Sequence, residues 1–252
     1  PRAQLRCGSE RLVLDQCRIN GVAFIGGRSA IPLNSDIDNF QVGGAVRNTI
    51  FQGILRLRNK LAPAVGEEQL FATGIRFERT TFMPKPGSTF VFGQIDARGT
   101  HRLTWEGCHF GYSGDQDCLR FGDMDLVGGY VASRDAHVQN NIFKMQIGAT
   151  HLGFVGGGGG VNGTEGTGWA IKLKPSTAVV SAAQICTNIH VTGNRFSPDL
   201  NAFATLNTSP DAGCVAVVDS REVWVEGNDI REWTQPVASA LDTQPLVLVQ
   251  AT

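Results

Sequence analysis

The chain lacks any long hydrophobic run. Nowhere do 18 apolar residues follow one another, so it encodes no membrane-spanning helix. It is also short of charge. Asp, Glu, Lys and Arg make up only 18% of 252 residues, and 22 basic side chains against 23 acidic ones leave a net charge of −1. That balance argues against a nucleic-acid binder, which needs a basic surface. Several catalytic signatures are missing: no Gly-Lys-Ser/Thr follows a glycine loop, and there is no His-Glu-any-any-His, dinucleotide fingerprint or Ser-His-Asp set. Five histidines leave little room for a multi-histidine metal site. The six cysteines (Cys7, Cys17, Cys108, Cys118, Cys186, Cys214) form no Cys-any-any-Cys pair, so zinc is not expected. They are expected to be reduced and packed as small apolar residues. No convincing helical periodicity appears, residues 63–71 being the best place for one. The chain starts Pro1-Arg2-Ala3-Gln4, with neither an initiator methionine nor a signal peptide, and reads as the ordered part of a longer chain.

What is present in excess is glycine: 31 residues, about one in eight, against about 7% on average. The glycines follow no triplet period, which excludes collagen. A hydrophobic content of 42% is too high for disorder. Behind the glycines lies a repeat: apolar, any, apolar, any, any, small-polar, any, large-apolar. Its copies start at Leu12, Ile75, Leu103, Ala136, Ile189 and Val223. The third reads Leu103-Thr104-Trp105-Glu106-Gly107-Cys108-His109-Phe110, the fifth Ile189-His190-Val191-Thr192-Gly193-Asn194-Arg195-Phe196. The alternating start is a half-buried strand. The Gly-Asn pair is a bend, since both residues tolerate left-handed backbone angles. The final Phe or Ile returns to the interior.

A second short strand is expected between copies, at Leu55-Arg56-Leu57, Phe90-Val91-Phe92, Leu119-Arg120-Phe121, Ile171-Lys172-Leu173, Val215-Ala216-Val217 and Val247-Leu248-Val249. The copies start 63, 28, 33, 53 and 34 residues apart, which fits a period near 30 with two long insertions, at about 26–53 and 144–168. Short strands and bends at this spacing predict a solenoid. The sixfold pattern with its Gly-Asn-any-Phe bend resembles the right-handed parallel β-helix of the pectate-lyase-like superfamily, whose coils also build phage tailspikes and polysaccharide-degrading enzymes. The expected fold is therefore all-β: one domain over 1–252, a single-stranded right-handed parallel β-helix of about six coils with two long loop insertions. An antiparallel sandwich or barrel also alternates its strands, but it does not need a turn at a fixed offset from each strand start.

In such a fold, equal positions stack about 4.8 Å apart. One outward row is Asp15, Glu78, Glu106, Gln139, Thr192, Glu226. The next is Val13, Arg76, Thr104, His137, His190, Trp224. Glu78 and Glu106 on adjacent coils would repel, and one should have a raised pKa. This is the acid pair a glycosidase needs, with a separation of about 5 to 5.5 Å for retention. His137 flanks the pair as a further acid–base candidate, and Arg76, His190 and Trp224 are placed to hold sugar. The competing account is a solvated polar wall with Arg76 offsetting the acids. A mild basic stripe, Arg56, Arg120 and Lys172, suits acidic sugars or simple solvation.

Asp115-Gln116-Asp117-Cys118 resembles the Asp-Asp-Cys signature of polygalacturonases, in which the aspartates act as acid and base, and this makes Asp117 a catalytic candidate. The resemblance is partial: Gln116 separates the aspartates, and Gly166-Thr167-Gly168 stands where that family has Gly-His-Gly. Asp115 and Asp117 also fit turn residues or calcium ligands. No cofactor is expected, and calcium is the ion these loop carboxylates suit. The run from Gly156 to Gly160 is read as a tightly turned or flexible loop.

The resemblance implies recognition of a polysaccharide, with or without its hydrolysis or lysis, in an extracellular or virion-surface protein. A homo-trimer or larger assembly is expected by likeness to tailspikes, with no nucleic-acid partner. The alternative is a non-catalytic spike, adhesin or structural module.

Overall fold

A computed structural model describes residues 4–7, 12–26, 41–58, 72–83, 94–112, 117–126, 129–145, 169–197, 213–230 and 247–251. These residues form three walls of parallel strands. The first wall stacks Leu12–Asp15, Gln41–Arg47, Ala72–Glu78, Thr104–Glu106, Arg134–Gln139, Thr187–Thr192 and Arg221–Glu226, each bonded in parallel to the next. A bend follows every strand. The second wall then stacks Arg18–Ile25, Ile50–Arg56, Thr81–Met83, His109–Tyr112, Ile142–Met145, Arg195–Ser197 and Asp229–Ile230. The third comprises Ile95–Asp96, Leu119–Phe121, Trp169–Leu173, Gly213–Val218 and Val247–Gln250. Ile50–Arg56 joins the last two walls, because its start pairs with Thr81–Met83 and its end with Ile95–Asp96. Strands that return in parallel to the same wall, once per coil, make a parallel β-helix. Among the described residues the departures are an antiparallel hairpin, Asp123–Leu126 with Gly129–Ala132, and one 3₁₀ turn at Ala182–Gln184.

The first wall has seven strands, one more than the six copies read from the sequence. The additional copy is Gly44-Ala45-Val46-Arg47-Asn48-Thr49-Ile50-Phe51, with Val46 in register between Leu14 and Phe77. The stretch assigned to one insertion, 26–53, therefore includes two strands. The copy is hard to see because Gly44 takes the first core slot. A Cβ there would lie 2.9 Å from the Leu12 carbonyl oxygen, so the coils meet too closely for a side chain. On the third wall, the position opposite Arg56 and Arg120 belongs to Asp96, not Val91. Phe90-Val91-Phe92, the proposed helix at 63–71 and the five-glycine run lie outside the described residues.

Stacking orders the core. Phe51, Phe82, Phe110, Phe143 and Phe196 form one pile, with successive ring centroids 5.4, 4.9, 4.3 and 5.0 Å apart and planes within 16°. Phe77 stacks on Trp105 beside it. All seven rings are buried. The bend column forms a second ladder. Asn141 Nδ2 and the Asn141 N–H both donate to Asn194 Oδ1, and Asn194 donates likewise to Asn228 Oδ1, at 2.9–3.0 Å. Each amide also donates to a carbonyl of the preceding coil, at Trp105, Val138 and Val191. In earlier coils, Thr80 Oγ1 and Cys108 Sγ reach the carbonyls of Val46 and Phe77 from the same column.

The bend residue itself is left-handed in all seven coils: Gln16, Asn48, Arg79, Gly107, Asn140, Gly193 and Gly227. Four of the seven are not glycine, so the register imposes this conformation even where a side chain makes it costly. A second left-handed column stands five residues upstream at Gly43, Gly74, Arg102, Asp135, Asn188 and Glu222. Each first-wall segment from the second coil onward is thus bracketed by two left-handed residues.

Candidate functional site

Between these brackets, alternate residues of the first wall point outward. The register gives two neighbouring rows: Asp15, Arg47, Glu78, Glu106, Gln139, Thr192, Glu226, and Val13, Ala45, Arg76, Thr104, His137, His190, Trp224. The sequence reading assigned both rows correctly except for Ala45 and Arg47, which belong to the overlooked coil.

Glu78 and Glu106 are cross-strand partners, as expected. They do not meet as two bare carboxylates. Arg47 Nε donates to Glu78 Oε2 at 2.7 Å, Arg76 Nε pairs with Glu78 Oε1 at 2.8 Å, and Arg76 Nη2 donates to Glu106 Oε2. The hydrogen bond from Arg76, with its charge and the Gln139 amide, holds the Glu106 carboxyl below the usual carboxylate range. The same bond raises Arg76. The raised pKa expected from mutual repulsion is thus overturned at Glu106: interleaved arginines replace the repulsion by attraction. Arg47 adds a second ion pair on Glu78.

Three other candidates meet in the last three coils. The rings of His137 and His190 stack at 4.7 Å and 14°, and those of His190 and Trp224 at 4.3 Å and 7°. Trp224 is 38% exposed. The row two residues upstream braces the stack. Asn188 Nδ2 donates to Asp135 Oδ1 at 2.6 Å, and His190 Nε2 lies 3.0 Å from Asn188 Oδ1. Burial, and then the neighbouring His190, push the His137 imidazole below its ordinary value, with Asp135 opposing them. His137 is therefore neutral at neutral pH. Asp135 and Asn188 were not singled out from the sequence, although an Asp or Asn just ahead of an alternating strand is a signal for a left-handed residue.

The remaining candidates, Asp117, Arg120 and Lys172, lie apart, on and just ahead of the third wall. Asp117 Oδ2 binds Arg120 Nη1 at 3.1 Å, its Oδ1 accepts the Trp169 N–H at 3.3 Å, and Lys172 Nζ is 3.9 Å away. Asp117 ties one coil to the next and is not brought to Glu78 or Glu106. Nor is the basic stripe an open one. Arg56, Arg58 and Arg98 are buried around Asp96. Asp96 receives Arg58 Nη2 at 2.9 Å and Arg98 Nε and Nη2 at 2.9 and 3.1 Å. Burial pushes the Asp96 carboxyl up, and the arginines more than reverse this, holding it at about 2.

Cys17, Cys108, Cys118, Cys186 and Cys214 are free thiols, and all but Cys17 are buried. Burial pushes Cys108, Cys186 and Cys214 up to about 12, so they pack as inert apolar groups. Among the described residues no group of three or more His, Cys, Asp or Glu side chains is placed to hold a metal ion, and no helix is long and apolar enough to cross a membrane.

No protein-family model and no curated protein matches the chain. Among solved structures, the surface protein and adhesin PfbA of Streptococcus pneumoniae aligns over 95% of this chain and 62% of its own, at 9% identity and a TM-score of 0.30. At that distance, the assignment of the fold rests on the strand register described above.

Proposed function

We propose that the outward face of the first wall binds a polysaccharide, and that the protein is a glycan-recognition module of an extracellular or virion surface. The observation that carries this reading is the stacked row His137, His190, Trp224, flanked by Asp135, Asn188 and Glu222 on one side and Gln139, Thr192 and Glu226 on the other. Apolar ring surface beside closely spaced donors and acceptors is the chemistry that holds sugars: the ring covers a C–H face, and the polar groups replace the water bound to hydroxyls. Repetition of the row from coil to coil suits a polymer of repeating units.

A depolymerase is the second reading, supported by the adjacency of Glu78 and Glu106. Opposed to it are the ion pairs: Arg47 and Arg76 engage Glu78 and Arg76 engages Glu106, so both carboxylates already hold guanidinium partners where a glycosidase pair must meet the sugar. The decisive experiment incubates the protein with a panel of bacterial capsular and plant polysaccharides, measuring binding and released reducing ends together. We expect binding without release. Release of reducing ends that disappears in Glu106→Gln would establish the enzyme instead. Neither binding nor release would leave a structural module, assembled as a homo-trimer or otherwise.

A further inference from the structure

We infer that the polymer is an uncharged polysaccharide lying parallel to the helix axis along the His137–His190–Trp224 row. This deepens the reading just given and rests on it. Three observations on charge favour it. In the N-terminal half of the face, Arg47 and Arg76 are already committed to Glu78 and Glu106, with ion pairs running unbroken through all four side chains. Around the rings, Asp135, Glu222 and Glu226 are matched by Arg102, Arg134 and Arg221, so the row carries no surplus of positive charge, and burial and His190 push the His137 imidazole below its ordinary value. On the third wall, where a basic stripe would have attracted acidic sugars, Arg120 and Lys172 lean on Asp117 with only 13% of each side chain exposed. An anionic polymer would therefore find no net positive charge at the ring row and would compete with ion pairs elsewhere. An uncharged polymer faces no such opposition.

The direction follows from the stack. His190 is sandwiched between His137 and Trp224 and offers its ring edge, while Trp224 at the end of the row offers partly open ring surface. The same kinds of group recur every coil, about 4.8 Å apart. A polymer along the axis meets this repeat. One crossing the wall meets unlike residues, from Asn188 to His190 to Thr192.

The test is electrophoresis through gels containing dextran, galactomannan or xyloglucan, and in parallel polygalacturonate or hyaluronate, at low and high salt. The expected result is retardation by an uncharged polymer that salt leaves unchanged. Trp224→Ala should weaken it about tenfold, equivalent to about 1.4 kcal/mol, and Trp224→Phe should restore most of it while excluding a fold defect. Stronger retardation by an anionic polymer, falling as salt rises, would overturn the inference and leave the polysaccharide reading standing. Retardation by none of the polymers would overturn both.

Discussion

The Arg76 guanidinium reaches across one coil to the Glu106 carboxylate, giving the first wall a charge row with alternating signs. Removing the arginine should release the acid. In Arg76→Ala, the Glu106 pKa should rise from its depressed position toward the ordinary glutamate range, because the hydrogen bond and charge of Arg76 are lost and only the Gln139 amide still lowers it. Side-chain carboxyl NMR against pH reads this directly. The thermal midpoint should barely move, since exposed ion pairs contribute little. An unshifted Glu106 would mean that Arg76 does not set its charge.

Asp96 should behave oppositely, being buried among Arg56, Arg58 and Arg98. Asp96→Asn leaves buried cations without their carboxylate and should cost roughly 3–5 kcal/mol in urea unfolding. The pH dependence has a definite sign. The folded carboxyl titrates at about 2 against 3.8 when free. Its contribution is therefore whole above 3.8 and drains away as pH falls toward 2. Over that window, wild type should lose stability more steeply than Asp96→Asn.

The amide ladder predicts a gradient along the bend column. Asn194 is buried, accepts from Asn141 and donates to both Val138 and Asn228. Asn194→Ala leaves several of these groups unsatisfied and should destabilise by about 2–3 kcal/mol. Asn228→Ala, in the last described coil and only half-buried, should cost less. Equal losses at the two sites would contradict a ladder whose interior rungs are the most dehydrated.

His137 offers a second pH test. Its imidazole titrates below the ordinary 6.5 because of burial and then of His190. A base with a depressed folded pKa resists protonation in the fold, so stability should fall as pH drops below 6.5 and through the folded value. In His190→Ala, the His137 titration followed by NMR should move back toward 6.5, and the acid-side loss should shrink. No movement would show that the stacked rings are electrostatically independent.

How much of this was legible in advance depends on what each residue does. The closing pile of Phe82, Phe110, Phe143 and Phe196 and the Asn141–Asn194–Asn228 column were readable, because a fixed offset from a strand start becomes a stack once coils repeat. So was the adjacency of His137, His190 and Trp224. The coil at Gly44 was not, because its first core position is filled by the backbone of Leu12 and leaves no apolar letter to count. Missing that coil hid Arg47 and with it half the clamp on Glu78. The site of Asp96 was equally hidden: its strand is two residues long, too short for any alternation to show. Arg102 and Glu222 hold left-handed angles against their own preference, something only the neighbouring coils can dictate.

The paired left-handed residues, always five apart, act as fixed joints, and everything outside them is free to change length. Coils starting at Ile75 and Ala136 close after 28 and 53 residues and still stack in register. Register is therefore set between the joints and coil length outside them. Cutting out residues 44–74 would carry the chain from one joint pair to the equivalent point in the next and bring Asp15 opposite Glu78. The result would be a shorter spiral whose surface chemistry is rewritten without altering a single remaining amino acid.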